Sequence, residues 1–308
     1  MRRLEQMDYK QYFHYCSDGS KSREFILGRE DFVSVMNIVA LCAANTDAVI
    51  VAFSLEDTHP HFLLYGTVEE CSRFKVLFES TYVRYACRTR EGPWDMVFDG
   101  VLYPVGDDIR YLRNVAAYVV FQPTKDGKRI MPQDYLWGSG SLYFRSGVNL
   151  PVWYFNEKGR VSSPISFGSL SNRERIRIIH SKSLTIPSDW TICNGIVLPS
   201  NYVDVARYEG IFESANSFRV FLSGNRQREE EIRGQLAHHY GIIMEDSEAR
   251  LICSNECEAL FGFRDVRRLE PQRRITLAQL LRRQYRLSLR QISALVRLPE
   301  PEIRKFVP

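Results

Sequence analysis

Two strand-like runs that lie close together near the start of the chain restrict its fold more than any other feature. Ala48 to Leu55 is an apolar, β-branched run of the kind found in buried strands, and His59 to Tyr65 is a second one. The residues between them are polar: Glu56, Asp57 and Thr58. Because so short a connection cannot carry the chain across a sheet, we expect the two strands to form an antiparallel hairpin.

Helical patterns lie on both sides of this hairpin in the sequence. Arg29 to Ala44 repeats its apolar residues at helical spacing, and so does Thr67 to Cys87, where Thr67 and Glu70 form a capping-box pattern. A third helix is predicted from Asp107 to Phe121, with Asp107 or Asp108 as its cap and Pro123 at its end.

Two more strand patterns complete the first half of the chain. Tyr12 to Cys16 is short and aromatic, and Asp99-Gly100 sits between Met96 to Phe98 and Val101 to Tyr103, as in a tight hairpin. Strands and helices in this order predict an α+β fold, with an antiparallel sheet and helices on one face of it.

Composition and charge restrict the class of protein. With 308 residues the chain is long enough for two or three domains, and its longest apolar run, Ile38 to Ala44, is far too short to cross a bilayer. The start of the chain lacks the apolar stretch of a secretory signal, and the seven cysteines are scattered, so we expect a cytoplasmic protein with reduced thiols.

The net charge of +4 is unevenly distributed. Residues 264–308 hold 12 Lys and Arg against 4 Asp and Glu, a net charge of +8, which leaves −4 for the rest of the chain. A basic terminal block beside an acidic body indicates a segment that binds a polyanion such as DNA, although a solvated helical tail has the same composition.

The basic tail also has a helix-turn-helix pattern. Leu289 to Leu295 is amphipathic, Arg297 to Pro299 forms a turn, and Glu300 to Phe306 is the last helix, with Ser288 as a cap. The alternative is a three-helix packing or dimerisation module. The predicted DNA contacts are Arg290, Gln291, Arg304 and Lys305. We predict three domains: 8–148, a connecting region at 149–264, and 265–308.

One group of residues suggests chemistry. His59 and His61 alternate on a strand, so both imidazoles should project from the same face, as in a metal site; a polar surface pair is the ordinary alternative. Tyr118 and Gln122 are four apart and share a helix face, which would join a nucleophile to a third ligand. The alternative is a core tyrosine beside a frayed helix end.

Three motifs in order resemble those of the single-tyrosine HUH transposases of simple bacterial insertion sequences, in particular the REP-associated ones. They are AFSLEDTHPHFLL from Ala52 to Leu64, YVVFQPTKDG from Tyr118 to Gly127, and PQDYLWGS from Pro132 to Ser139. The resemblance covers about Tyr12 to Phe144. It departs at Pro60, where a bulky apolar residue is usual, at Thr58 and at Gly138.

The resemblance implies a bacterial strand transferase with a ferredoxin-like HUH domain that acts on single-stranded DNA at hairpin elements. His59, His61 and Gln122 would bind a divalent metal, Mg²⁺ or Mn²⁺, and Tyr118 would form a 5′-phosphotyrosine. The rival nucleophile is Tyr111, but Val115 at its plus-four position cannot bind a metal.

Other functions share this residue pattern. A replication initiator or relaxase nicks DNA with the same histidine pair and tyrosine, and a domesticated relative would bind hairpins without cleaving them. Trp94 and Tyr103 could stack on unpaired bases, with core packing as the alternative. A homodimer and cleavage by a partner's tyrosine are both left open.

Overall fold

The computed structural model of the protein describes residues 9–17, 25–90, 100–106, 108–123, 130–145, 150–223, 246–285, 287, 289–303 and 305–306. The chain divides into two compact units, Met1–Leu222 and Ser223–Pro308. The three-domain division at 149 and 265 stays a prediction.

The first unit is built on a four-stranded antiparallel sheet. Its strands are β1 (Gln11–Cys16), β2 (Val49–Leu55), β3 (Pro60–Gly66) and β4 (Val101–Pro104), in the order β2-β3-β1-β4. The hairpin of β2 and β3 is confirmed. Strand β4 pairs with β1, whereas the other arm of the second predicted hairpin, at 96–98, lies outside the described residues.

Three helices pack against this sheet: α1 (Arg29–Ala44), α2 (Val68–Thr89) and α3 (Ile109–Pro123). The predicted capping box of α2 is present, since the Thr67 side chain accepts from the Glu70 N–H and the Glu70 carboxylate accepts from the Thr67 N–H. Asp108 caps α3 by accepting from the N–H of Arg110 at 2.9 Å. The α+β class is therefore confirmed. The capping residues in the sequence correctly predicted where α2 and α3 begin.

The prediction that the helices share one face of the sheet is wrong. The ring of Phe62 meets those of Phe74 and Phe78 of α2 edge-on, whereas its neighbour His61 contacts Tyr118 of α3. Successive side chains on a strand point to opposite faces, so α2 and α3 cover opposite faces. The sequence pattern of β2 and β3 is almost continuously apolar because both faces are buried.

The remainder of the first unit consists of short elements. The strands are β5 (Ile165–Ser166), β6 (Thr191–Cys193) and β7 (Ile196–Val197), and the helices are α4 (Asn172–Ile179), α5 (Val205–Phe212) and α6 (Ala215–Ser223). Single 3-10 turns lie at Pro132–Asp134, Gly140–Leu142, Val152–Tyr154, Phe167–Ser169 and Pro199–Asn201.

These short elements pack onto the sheet domain rather than standing apart as a linker. The Asn37 side chain of α1 donates to Gly195 O at 2.9 Å and accepts from the Val197 N–H at 2.8 Å. The buried Tyr208 of α5 donates to Ala116 O of α3 at 3.3 Å. The buried Asn37 amide pairs with backbone groups on both sides of the turn and so fixes the orientation of the turn against α1. This part of the chain therefore packs as part of the first unit.

The second unit is helical. Its helices are α7 (Asp246–Phe261), α8 (Pro271–Tyr285), α9 (Leu289–Val296) and α10 (Glu300–Ile303), with a 3-10 turn at Val266–Arg268. The buried residues form one core: Ala249, Cys253, Cys257, Leu269, Leu277, Ala278, Leu281, Leu287, Ile292, Val296 and Ile303. Both helices predicted in the basic tail are present, as α9 and as α10, which ends at Ile303.

None of the helices among the described residues is long and apolar enough to cross a membrane. All seven cysteines are free, as predicted from their scattered positions.

Candidate active site

The predicted histidine pair lies at the start of β3. The Nε2 atoms of His59 and His61 are 2.8 Å apart, so the two rings converge as the alternation predicts. His61 is fully buried and His59 is half-buried. Pro60 is the first residue of its strand, where the missing N–H does not interrupt the ladder, and its Cα pairs with that of Leu55. The departure at Pro60 is therefore compatible with the register of β3.

Each histidine of the pair has a polar neighbour at its other ring nitrogen. Thr58 Oγ1 lies 2.7 Å from His59 Nδ1, and His14 Nε2 lies 3.2 Å from His61 Nδ1. The His14 and His61 rings are nearly parallel, with centroids 5.5 Å apart and an angle of 5° between their planes, and they meet end to end through these two nitrogens. Thr58 and His14 therefore contact the sides of His59 and His61 that face away from the contact between the two histidines.

His14 and Cys16 were missed by sequence analysis. They alternate on β1, so both point to the same face as His61, and the Cα of Cys16 pairs with that of His61. One ligand atom from each of these three buried residues lies within 4.8 Å of the others. The available signal was the period of two in QYFHYC, in which Phe13 and Tyr15 supply the opposite, apolar face.

Tyr118 on α3 covers the histidines from above the sheet. Its ring meets those of His14 and His61 edge-on, with centroids 5.7 and 5.5 Å apart and interplanar angles of 84° and 85°. Ala117 and Val119 on either side are buried, whereas Tyr118 is half-buried. The structure therefore brings together His59, His61 and Tyr118, which the sequence places almost sixty residues apart.

Gln122 and Tyr111 lie on the same helix as Tyr118. Gln122 is one turn further along α3 and is buried, and its Nε2 has no hydrogen-bond partner among the described residues. Tyr111, the rival nucleophile, is buried near the start of α3. The atom without a partner is a hydrogen-bond donor, whereas a metal would bind Oε1, so the role of Gln122 as a metal ligand stays a prediction.

A buried carboxylate lies at the end of β2 beside the site. Ser54 is paired with His61 across the β2-β3 hairpin, and its hydroxyl donates to Glu56 Oε1 at 2.8 Å. Both residues are buried, and sequence analysis treated Glu56 only as part of a turn. The backbone of Glu56 is also joined to the histidine pair, since its N–H donates to His59 O at 3.0 Å.

The segment around Trp137 is joined to the free edge of β2. The Leu55 N–H donates to Trp137 O and the Ser139 N–H donates to Phe53 O, both at 2.9 Å. A Cβ at Gly138 would lie 2.9 Å from Phe53 O, which explains why glycine stands at this position. The motif therefore fixes the strand that precedes the histidine pair.

Tyr143 anchors the other end of that segment. Its hydroxyl lies 2.8 Å from Val51 O and 2.7 Å from Ser139 Oγ, and burial raises the pKa of Tyr143 well above its usual range. Tyr143 is thus a structural tyrosine, in contrast to the half-buried Tyr118.

The predicted DNA contacts of the second unit stay predictions. Gln291 on α9 is buried and Lys305 is exposed. Arg304 and the side chain of Arg290 lie outside what is described. Trp94 does too, and Tyr103 on β4 has its ring centroid 6.2 Å from that of His14. Arg297, at the turn between α9 and α10, has a φ of 55°.

Comparisons with known proteins give little beyond these residues. No protein-family model matches the chain, and no curated protein matches it. Among solved structures, the chain is similar to a REP-associated tyrosine transposase bound to a REP hairpin. The two chains share 15% identity with a TM-score of 0.34, over 45% of this chain and 82% of the transposase chain. Likeness at this level does not assign an activity, so function has to be inferred from the site itself.

Proposed function

We propose that this protein is a metal-dependent DNA strand transferase that cleaves and rejoins single-stranded DNA at hairpin elements. Tyr118 is the nucleophile, and His59, His61 and Gln122 are the metal ligands. The observation that carries the proposal is the contact of a half-buried tyrosine with a converging histidine pair from a distant strand.

The donor set fits a divalent ion. Two nitrogen ligands at right angles on an ion at about 2.1 Å lie about 3.0 Å apart, close to the 2.8 Å between the Nε2 atoms of His59 and His61. For both atoms to present a lone pair, each ring must carry its proton on Nδ1. Thr58 Oγ1 and His14 Nε2 lie where they can accept hydrogen bonds from those two N–H groups.

The order of the elements is consistent with the proposed domain. A β-α-β-β-α-β sequence with the sheet order β2-β3-β1-β4 is that of a ferredoxin-like fold. In this arrangement β1 and β3 are the central strands. The side chains of His14 and His61 therefore project from the two central strands on the sheet face under α3, where Tyr118 meets them.

The reaction of Tyr118 is a phosphoryl transfer. The phenol oxygen bonds to phosphorus, the bond from phosphorus to the 3′-oxygen breaks, and the phenolic proton ends on the released 3′-hydroxyl. A bound Mg²⁺ or Mn²⁺ would supply charge stabilisation for the phosphate oxygens. A tyrosine hydroxyl has a pKa near about 10, so it depends on such help at neutral pH.

The intermediate preserves the ability to rejoin DNA. One phosphodiester is exchanged for another, so attack by a 3′-hydroxyl on the 5′-phosphotyrosine restores the DNA and the free tyrosine without a nucleotide cofactor. The exposed Lys305 and the net +8 of residues 264–308 support attraction to DNA phosphates.

The test is covalent capture. Full-length protein is incubated with labelled single-stranded hairpin DNA and Mn²⁺, and a protein–DNA adduct is expected in denaturing gels. Tyr118→Phe should abolish the adduct, whereas Tyr111→Phe, a buried tyrosine on the same helix, should retain it. An adduct that persists in Tyr118→Phe would refute the nucleophile, and normal cleavage by His59→Ala and His61→Ala would refute the metal ligands.

The same gels separate cleavage from binding alone. A hairpin-binding protein without cleavage would retard the DNA and give no adduct, whereas a strand transferase or a nickase would give the adduct.

A further inference from the structure

The imidazole of His61 has a second set of donors on the side away from His59. His14 Nε2 lies 3.2 Å from His61 Nδ1, and Cys16 on the same face of β1 contributes a sulfur within 4.8 Å of both rings. His14 and His61 are fully buried and Cys16 is 5% exposed. Two imidazoles and a thiol in a buried pocket are a softer donor set than the His59, His61 and Gln122 group.

We propose that His14, Cys16 and His61 form a second metal site, which binds a borderline-soft divalent ion of the Zn²⁺ type. Two nitrogens of a tetrahedral zinc site are about 3.3 Å apart, close to the 3.2 Å between His14 Nε2 and His61 Nδ1, and both rings have to tilt so that their lone pairs converge on the ion. The sulfur of such a site lies about 3.6 Å from each nitrogen, which the Cys16 sulfur, now within 4.8 Å, can reach by rotation about the Cα–Cβ bond. A fourth position remains for water.

Selectivity follows from the ligands. Thiolate favours Zn²⁺ over Mg²⁺ and Mn²⁺, which prefer oxygen, and among these ions Zn²⁺ also stands highest in general affinity for nitrogen sites. The cysteine binds as thiolate and releases its proton to solvent. Each of the two proposed sites would therefore select a different ion.

The two sites exclude each other because they share one imidazole. Neutral His61 carries a proton on one nitrogen and offers a lone pair on the other. Its Nε2 faces His59, whereas its Nδ1 faces His14. An ion beside His14 and Cys16 requires the lone pair on Nδ1, which places the proton on Nε2 and blocks the His59 side. Resting on the proposed function, this predicts that Zn²⁺ inhibits strand transfer.

Cobalt binding tests the site without DNA. Full-length protein is titrated with Co²⁺ alone, which replaces Zn²⁺ and gives a near-ultraviolet charge-transfer band when thiolate is a ligand. We expect the band in the wild type, its loss in Cys16→Ser, and at least tenfold weaker Co²⁺ binding in His14→Gln. Cys257→Ser, which removes one thiol of the buried Cys253 and Cys257 pair in the second unit, should keep the band.

Two results would overturn the proposal. One is Co²⁺ binding to the wild type without a thiolate band, and the other is an unchanged band in Cys16→Ser. Circular dichroism of each variant establishes that it is folded, and His14→Gln gives a second reading should Cys16→Ser fail to fold.

Competition separates this site from the proposed activity. Zn²⁺ should raise the concentration of Mn²⁺ needed to half-saturate the wild type by at least tenfold, and should do so much less in Cys16→Ser. If the thiolate band appears but no tyrosine adduct forms with DNA, the strand-transferase proposal fails and the second site stands. If adducts form without a band, the opposite holds.

Discussion

The strongest prediction concerns His14 and Thr58, the two residues that face the outer nitrogens of the histidine pair. Each is proposed to accept a hydrogen bond from an Nδ1–H group, so that His61 and His59 keep their Nε2 lone pairs for the metal. His14→Phe keeps an aromatic ring but removes the acceptor at His61, and Thr58→Val keeps the shape but removes the acceptor at His59. Both variants should weaken metal binding, but by different amounts.

The magnitudes follow from burial. His14 is 0% exposed, so in His14→Phe the metal-bound form must bury an unpaired Nδ1–H on His61. That costs about 1–3 kcal/mol, whereas the metal-free protein avoids the cost by moving the proton to Nε2. The loss of affinity should therefore be about 10- to 100-fold, the range usual for partners of metal-bound histidines. Thr58 is exposed, so water replaces its hydroxyl and the loss should stay below about tenfold.

The assay is Mn²⁺ binding by full-length protein, followed through the electron paramagnetic resonance signal of free Mn²⁺. His14→Gln is the matched control, because its amide oxygen can stand near the position of Nε2 and accept the same proton, so its affinity should stay within about threefold of the wild type. Thr58→Ser restores the hydroxyl and should behave in the same way.

Two outcomes would refute the reasoning. Unchanged Mn²⁺ affinity in His14→Phe would mean that His61 does not bind the ion through Nε2, and a larger loss in Thr58→Val than in His14→Phe would mean that burial does not set the order. Because His14→Gln removes a ligand of the proposed zinc site but keeps the acceptor for His61, the same variant separates the two metal sites.

Three further predictions concern stability. Thr67→Ala removes the side-chain half of the capping box of α2 and should lower the free energy of unfolding in urea by about 0.5–2 kcal/mol, with Thr67→Ser close to the wild type. Gly138→Ala places a Cβ 2.9 Å from Phe53 O and should cost about 1–3 kcal/mol, whereas Gly210→Ala, with nothing within 4 Å, should be neutral or stabilising; equal effects would contradict the close-approach argument. Burial lowers the pKa of His180 below 6.5, so the unfolded chain binds this proton more readily than the folded protein does. The stability that neutral His180 contributes is therefore present above pH 6.5 and is lost as the pH falls through the folded pKa. The free energy of unfolding should differ less between pH 7 and pH 5 in His180→Asn than in the wild type, and an equal difference would contradict the assignment.

Local features of the fold could be read from the sequence because their causes are local. The polar turn between β2 and β3 forces a hairpin, and the start of α2 follows from the capping box at Thr67. The side of the sheet occupied by α3 could not be read, since β2 and β3 are apolar on both faces and the pattern does not say which helix covers which.

The candidate site divides in the same way. The spacing of His59 and His61 and that of Tyr118 and Gln122 follow from the periods of a strand and a helix, so the sequence alone determined which side chains share a face. It did not determine that β1 pairs with β3, because the pairing of distant strands depends on the packing of the whole sheet. That pairing brings His14 to within 3.2 Å of His61, 47 residues further along the chain, and places Cys16 beside them. The tertiary structure alone therefore decided that the two ring nitrogens of His61 face His14 and His59.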